Sequence, residues 1–355
     1  MARRRMKRGS WRFGALALAL VASGAWFAWQ SFSPFYAGRQ QVTLLDLPRG
    51  TGSRRIAALL ADAGAIRSQW AFLLVRALRP AAKLQAGEYR FHKPASAWEV
   101  FRRIERGDVF FYEITIPEGS NIFDIAGILD QAGVVSGEAF RKAASTPALI
   151  RDLAPNAPSL EGYLFPATYR ITRHTTAPQL CRNMTDRFRR AWKSIAGVGD
   201  MHRLVTLASL VEKETGLDAE RPLVASVFLN RLERNMRLEC DPTTIYAAQL
   251  EARYRRGIHR SDLESRHPYN TYQHGGLPPG PIANPGLKSL DAALRPAQTG
   301  FLFFVASSNG AGGHVFTTNL VAHQRAVADY RRGQQKGKAA STDRGVSRSR
   351  KTTGD

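Results

Sequence analysis

The stretch LVTLASLVEKETG, Leu204 to Gly216, closes an otherwise apolar, helix-like run with two glutamates, Glu212 and Glu214, two residues apart. On a wheel turning about 100° per residue, Leu204, Leu207, Leu210 and Val211 share one apolar arc, which Met201 and Ala208 extend. Glu214 falls between Leu207 and Leu210, nearer that arc than Glu212, although Val205 lies beside Glu212. A carboxyl leaning on an apolar wall at the C-terminal end of its own helix is disfavoured as an anion, so it holds its proton to higher pH. A carboxylic acid still protonated near neutrality is what general acid catalysis on an ether oxygen requires. Two solvated residues at a frayed helix end would carry the same sequence, so the wheel favours Glu214 without establishing chemistry.

The elements that must position this pair are legible around it. Helical periodicity predicts helices over 177–195, 201–215 and 220–235, the last with Asp218 as a possible N-cap. Residues 238–286 form a long irregular stretch rich in Gly and Pro, the kind of segment that builds site walls. A hairpin is predicted over 301–318, then a last helix capped by Asn319 and running to about Tyr330. Residues 331–355 read as a disordered basic tail.

Upstream, LDLPRGTGSRRIAALLADAGAI (45–66) matches ITIPEGSNIFDIAGILDQAGVV (114–135) at an offset of 69 residues. Pro48 matches Pro117, Gly50 matches Gly119, Leu60 matches Leu129 and Gly64 matches Gly133. Each copy reads as a short strand, a Pro-x-Gly turn, an amphipathic helix and a Gly cap. That grammar is shared by small carbohydrate-binding modules of the LysM sort, and equally by a plain structural duplication. Between the copies, residues 84–107 read as a strand and a helix starting near Ala97. A helix is predicted from Gly137 to Leu153, and the Pro/Asn cluster APNAPS after it marks a domain boundary near 155.

Phe13 to Trp29 is a run of seventeen uncharged, mostly apolar residues behind six Lys/Arg. It predicts a membrane anchor over 13–33 with a cytoplasmic basic tail, 1–12. A cleaved signal peptide is the competing reading, but the run continues past the small-residue site Ser23-Gly24-Ala25 into Trp26, Phe27 and Trp29. Either way the remainder of the chain is exported, where a disulfide between Cys181 and Cys240 is permitted but not required. The formal charge is +22, and the two tails supply about 12 of it. No nucleic-acid recognition signature accompanies the rest, so a nucleic-acid partner is not expected. A solvated surface, or attraction to an acidic polymer or lipid headgroups, is the better match. Neither Cys has another Cys or a His at zinc-ligand spacing, and no metal or cofactor is expected.

SLEGYLFPATYRI, TLASLVEKETG, RPLVASVFLNRL, MRLECDPTTIY, YNTYQHGGLPPGPIANPG, LDAALRPAQTGFLFFVA and GGHVFTTNLVAHQ follow one another in this order. Together they resemble the endolytic murein transglycosylases of the MltG (YceG-like) family, over roughly residues 42–330. The resemblance implies an α+β protein: a transmembrane helix, a LysM-like module over 40–154 with copies near 42–110 and 112–154, and a helix-rich catalytic domain over 155–330. It further implies a single-pass protein of the cell inner membrane, with its N-terminus cytoplasmic and its catalytic domain periplasmic. The implied activity is cleavage of the β-1,4 bond after N-acetylmuramic acid inside nascent, uncrosslinked glycan strands. The sugar closes on its own 6-hydroxyl to leave a 1,6-anhydro end. Peptidoglycan strands are then the substrate, with peptidoglycan synthases of the elongation or division machinery as possible partners.

By the same resemblance Glu214, the glutamate before Thr215, is the catalytic residue. One Glu suffices as acid and then base, because the attacking hydroxyl is tethered to the sugar. Asp241 could orient the sugar or serve only as an Asx-turn residue ahead of Pro242. Asn270 and Tyr272 suit hydrogen bonding to N-acetyl groups and packing on a sugar face. Glu161 is a second acidic candidate, against a buried structural role. His314 and His323 match family positions but are not offered as metal ligands. The family's FPDTY is here FPATY, with Ala167 in place of the acid. Two alternatives stay open: a two-carboxylate glycoside hydrolase pairing Glu214 with Asp241 or Glu161, and a non-catalytic glycan-binding scaffold.

Overall fold

The computed structural model describes residues 10–36, 42–308 and 312–349, so most of the expected cytoplasmic tail lies outside the described residues. Helix α1 (Ser10–Phe32) contains Gly14–Phe32, 19 residues of mean hydropathy 1.4 with 6% of that stretch buried. It is long and apolar enough to cross a membrane. By contacts the chain divides into two compact units, Met1–Tyr112 with Arg170–His174, and Glu113–Tyr169 with Thr175–Asp355.

The first unit continues with β1 (Thr43–Leu47), α2 (Ser53–Asp62), α3 (Gln69–Leu78), β2 (Gly87–Phe91) and α4 (Ala97–Arg106). β1 and β2 pair antiparallel with Leu45 opposite Tyr89. Leu47, Leu60, Phe72, Tyr89, Phe101 and Ile104 fill the core beneath them. α4 shows why such short helices hold. Ala97, Val100, Phe101 and Ile104 bury one face, Ser96 and Glu99 make a reciprocal capping box, and Gly107 ends the helix at φ +73°.

The second unit opens within β3 (Tyr112–Ile116) and runs through α5 (Ile122–Ala132), α6 (Gly137–Ala144) and a 3-10 turn at Pro147–Ile150 to β4 (Ala167–Ile171). The helix predicted over 137–153 therefore breaks before Pro147, whose ring removes a backbone donor. β3 pairs with β4, so each copy of the repeat has the order strand, helix, helix, strand closing a two-stranded sheet. The second copy reaches Ile171, beyond the boundary predicted near 155, and contacts divide the chain at 112/113 instead. The reason is covalently distant bonding: Asn121 Nδ2 donates to Gln249 Oε1, and the Gly119 N–H donates to the Asn284 carbonyl, tying this copy into the larger unit.

Helices α7 (Ala177–Ser194), α8 (Met201–Glu214), α9 (Arg221–Glu233), α10 (Asp241–Leu250), α11 (Arg260–Leu263) and α12 (Leu287–Leu294) follow. Then come antiparallel β5 (Phe303–Ala306) and β6 (His314–Thr317), and α13 (Leu320–Ser349). Asn319 caps α13 through the Ala322 N–H. α13 extends to Ser349 where a disordered tail was expected; no proline interrupts 331–349, and Arg, Gln, Lys and Ala favour helix there. α8 lies at the centre of the unit, packed by α9, α10 and α12. The chain is a helix-rich α+β protein with an apolar N-terminal helix. Both cysteines are free and buried, so no disulfide joins them.

Candidate functional site

Residues Val205 to Val211 of α8 are buried without interruption, because neighbouring helices cover every side. One apolar arc therefore does not distinguish Glu212 from Glu214. Position along the chain separates them instead. Glu212 is no surface residue: its side chain is 6% exposed, it accepts the Gly286 N–H at 2.9 Å, and it lies 3.5 Å from the equally buried Arg221 guanidinium. Its oxygens are committed to holding α9 and the loop before α12.

Glu214 is the last residue of α8 and lines a cleft of about 280 Å³ with Arg231, Glu239, Cys240, Asp241, Tyr272 and His323 among its walls. Burial pushes its pKa up, Asp241 adds to the rise, and the Cys240 thiol opposes it by donating to Oε1 at 3.0 Å. Its Oε2 has no hydrogen-bond partner among the described residues, which leaves one oxygen for a ligand. The group is a carboxyl inclined to hold a proton, with one oxygen anchored and one free.

The turn that brings Cys240 and Asp241 to Glu214 is built from backbone strain and hydroxyls. Glu239 sits at φ +50°, a conformation uncommon outside glycine. The Thr271 hydroxyl then accepts the Cys240 N–H at 3.0 Å, and the Thr243 hydroxyl donates to the Cys240 carbonyl at 2.6 Å. Asp241 opens α10 and accepts the Tyr272 hydroxyl at 2.6 Å. Opposite, the Arg231 guanidinium donates to the carbonyls of Leu238 and Leu302, stitching the cleft wall to β5.

Of the residues expected at the site, the fold brings Glu214, Asp241 and Tyr272 together. Asn270 and Glu161 are elsewhere. Asn270 is fully buried and its Nδ2 donates to the carbonyls of Asp262, Leu263 and Ser265, so its amide braces the loop and cannot meet a sugar. Glu161 is 1% exposed and accepts from the Ile122 N–H, the Tyr246 hydroxyl and Asn284 Nδ2. It is an internal strut, and as the second carboxylate of a hydrolase it drops out. His314 pairs with Glu220 at 2.7 Å, and bonds from His314 hold Glu220 low despite its burial. His323 stacks on Phe303, and burial lowers its pKa. No group of three or more His, Cys, Asp or Glu able to hold a metal occurs among the described residues. Arg231 and Cys240 were missed as site residues; the run LECDP, directly before the singled-out Asp241, was the available signal.

Glu161 carries a stability prediction. Burial pushes its pKa up to about 8, against the pull of the Ile122 N–H and the Tyr246 hydroxyl. A carboxyl raised on folding binds more protons folded than unfolded, so stability should fall as pH rises from the ordinary Glu range to about 8 and level off above it. Glu161→Gln turns an amide N–H against Asn284 Nδ2. It should cost about 1–3 kcal/mol and flatten that pH slope, as read from denaturant melts between pH 5 and 9. A slope unchanged in the variant would clear Glu161 of this role.

The YceG-like family model matches residues 45–329. An endolytic murein transglycosylase of Bacillus subtilis (strain 168) is 32% identical over 333 residues, covering 88% of this chain and 91% of the relative. One of Streptococcus pneumoniae (strain D39) is 28% identical, and this chain spans 63% of that longer protein. A yceG-like protein of Listeria monocytogenes, solved by crystallography, superposes with a TM-score of 0.52 at 28% identity, covering 81% of this chain and 99% of that one.

Proposed function

This chain belongs to the YceG-like family, and on that premise we propose that it is an endolytic murein transglycosylase in which Glu214 is the single acid and base. The observation that carries the assignment of Glu214 is its place at the cleft with one carboxyl oxygen held by the Cys240 thiol and the other without a partner among the described residues, in a setting whose burial pushes its pKa up. In the first step Glu214 protonates the glycosidic oxygen after N-acetylmuramic acid, and the bond to the anomeric carbon breaks. In the second, Glu214 as carboxylate takes the proton from the 6-hydroxyl of the same sugar as that oxygen bonds the anomeric carbon. Glu214 ends as it began, no water is consumed, and a 1,6-anhydro end results. The tethered hydroxyl supplies the effective concentration that a hydrolase obtains by activating water with a second carboxylate.

Asp241 and Tyr272 are assigned to the sugar beside the scissile bond, Asp241 as a fixed negative charge and Tyr272 as its hydrogen-bonded partner with an aromatic face. The two strand–helix–helix–strand copies support a LysM-like reading, with glycan contact as their role. The apolar α1 and the basic residues before it support a single pass of the inner membrane, with the N-terminus cytoplasmic and the catalytic residues on the far side. Glycan strands under synthesis are the substrate on this reading, and the synthases that extend them are the natural neighbours.

Asp241 in the same cleft keeps one rival in view, hydrolysis by two carboxylates. Mass spectrometry of the products from purified uncrosslinked strands separates the two. Anhydro ends released from within strands are expected, and reducing ends instead would transfer the site to hydrolysis.

A further inference from the structure

The far end of α1 is clamped to the first unit. Arg67, just before α3, holds its guanidinium 4.2 Å from the Trp29 ring centre and 4.9 Å from that of Phe35. Phe32 packs on Trp98 of α4 with ring centres 5.8 Å apart. Phe35 bridges Ala95 through backbone bonds of 3.0 and 3.2 Å. The starts of α3 and α4 therefore lie where α1 ends.

Each of these helices turns an unexplained face outward. On α3, Ala71, Phe72 and Val75 enter the core, while Trp70, Leu74, Ala77 and Leu78 form an exposed stripe at i, i+4, i+7 and i+8. Trp70 and Leu78 are 62% and 64% exposed. Apolar residues so aligned on a free surface mark a contact site. On α4 and the loop before it, Lys93, Arg102, Arg103 and Arg106 line a pocket of about 550 Å³ with Trp98 and one acid, Glu99. Glu99 is spent on the capping box with Ser96, and Arg106 shares Asp108. Lys93 and Arg102 have no ion-pair partner among the described residues.

A bilayer surface satisfies both faces at once. Interfacial helices combine an apolar face sunk at the acyl boundary with cations on headgroup phosphates. Here the two properties sit on adjacent helices, at the end of the one segment apolar enough to span among the described residues. We propose that the first unit rests on the membrane surface, with the Trp70/Leu74/Leu78 stripe in the interface and the Lys93/Arg102/Arg103/Arg106 pocket holding the phosphate of an anionic phospholipid. The inference rests on α1 lying in the bilayer. It adds to that anchor a second attachment that fixes the height and tilt of the unit.

The test uses the full chain in nanodiscs of phosphatidylcholine with or without phosphatidylglycerol, with lipids brominated near the headgroup. Trp70→Phe should remove a quenched share of the tryptophan emission, whereas Trp192→Phe should remove only unquenched emission. Native mass spectrometry from detergent should show phosphatidylglycerol retained at least fivefold over phosphatidylcholine, and a Lys93→Gln/Arg102→Gln/Arg106→Gln variant should lose that preference. If the protein enters nanodiscs but Trp70 is unquenched and no lipid is preferred, the inference is overturned and the anchor stands. If the chain does not enter bilayers at all, the anchor reading itself fails. Inorganic phosphate bound at the pocket as tightly as the lipid would make it a soluble-anion site and also overturn the proposal.

Discussion

Glu214→Gln is expected to lower strand cleavage by at least the roughly 10²–10⁴-fold that general acid-base catalysis contributes, with the fold intact. The amide keeps the size of the carboxyl and can still accept the Cys240 thiol on one atom, but it can neither give nor take the proton. Thermal melting should be little changed or raised, because an ionisable group that burial disfavours as an anion is replaced by a neutral one. Glu212→Gln is the comparison that gives the result meaning. Glu212 has no place in the cleft, yet its carboxylate faces the buried Arg221 and accepts the Gly286 N–H. Losing that charge should destabilise the protein by about 1–3 kcal/mol, with Asp218 still paired to Arg221. Activity per folded molecule should fall roughly tenfold or less, about 1.4 kcal/mol of transition-state stabilisation. The two variants thus fail on different instruments, one in turnover and one in melting. A Glu212→Gln protein that is folded and dead beside an active Glu214→Gln protein would exchange their roles.

This contrast also measures how far the sequence could be read. Element types were legible because they rest on local rules: the periodicity of 177–195 became α7, and the matched Pro-x-Gly turns became two copies of one βααβ order. Glu214 stands out only on a wheel that assumes a helix with one covered side, whereas over Val205–Val211 α8 is buried all round by α9, α10 and α12. Asn270 shows the opposite error. A polar residue in a Gly/Pro-rich loop looks free to bind ligand, yet the carbonyls where α11 ends, of Asp262, Leu263 and the nearby Ser265, take the Asn270 amide. Glu161 likewise turned inward to serve backbone and side-chain donors from residues 122, 246 and 284. Cys240 drew notice only as half of a possible disulfide, because nothing local tells a thiol that it will meet a carboxyl 26 residues away.

Asp241 provides the second large effect, and its direction follows from charge. As first residue of α10 it stands where a helix favours an anion, and the Tyr272 hydroxyl fixes Oδ1 at 2.6 Å. After burial, the negative charge of Asp241 is what lifts the Glu214 pKa. Asp241→Asn removes that charge while keeping the shape, so the Glu214 carboxylate becomes less unfavourable and its pKa falls. The proposed mechanism needs Glu214 protonated at the outset. The alkaline limb of kcat/KM should therefore move to lower pH. Loss of the charge-assisted contact to the sugar that is proposed for Asp241, about 1.5–3 kcal/mol, should also reduce kcat/KM by roughly ten- to hundredfold below that limb. Tyr272→Phe separates the two contributions. It removes the hydroxyl that shares the Asp241 charge but leaves the charge itself, so its limb should stay in place or move upward while the rate falls modestly. Profiles on glycan strands from pH 5 to 9 read both quantities together. An Asp241→Asn limb that coincides with the unmodified protein would mean that Asp241 does not set the proton affinity of Glu214, and that the residue acts on the sugar alone.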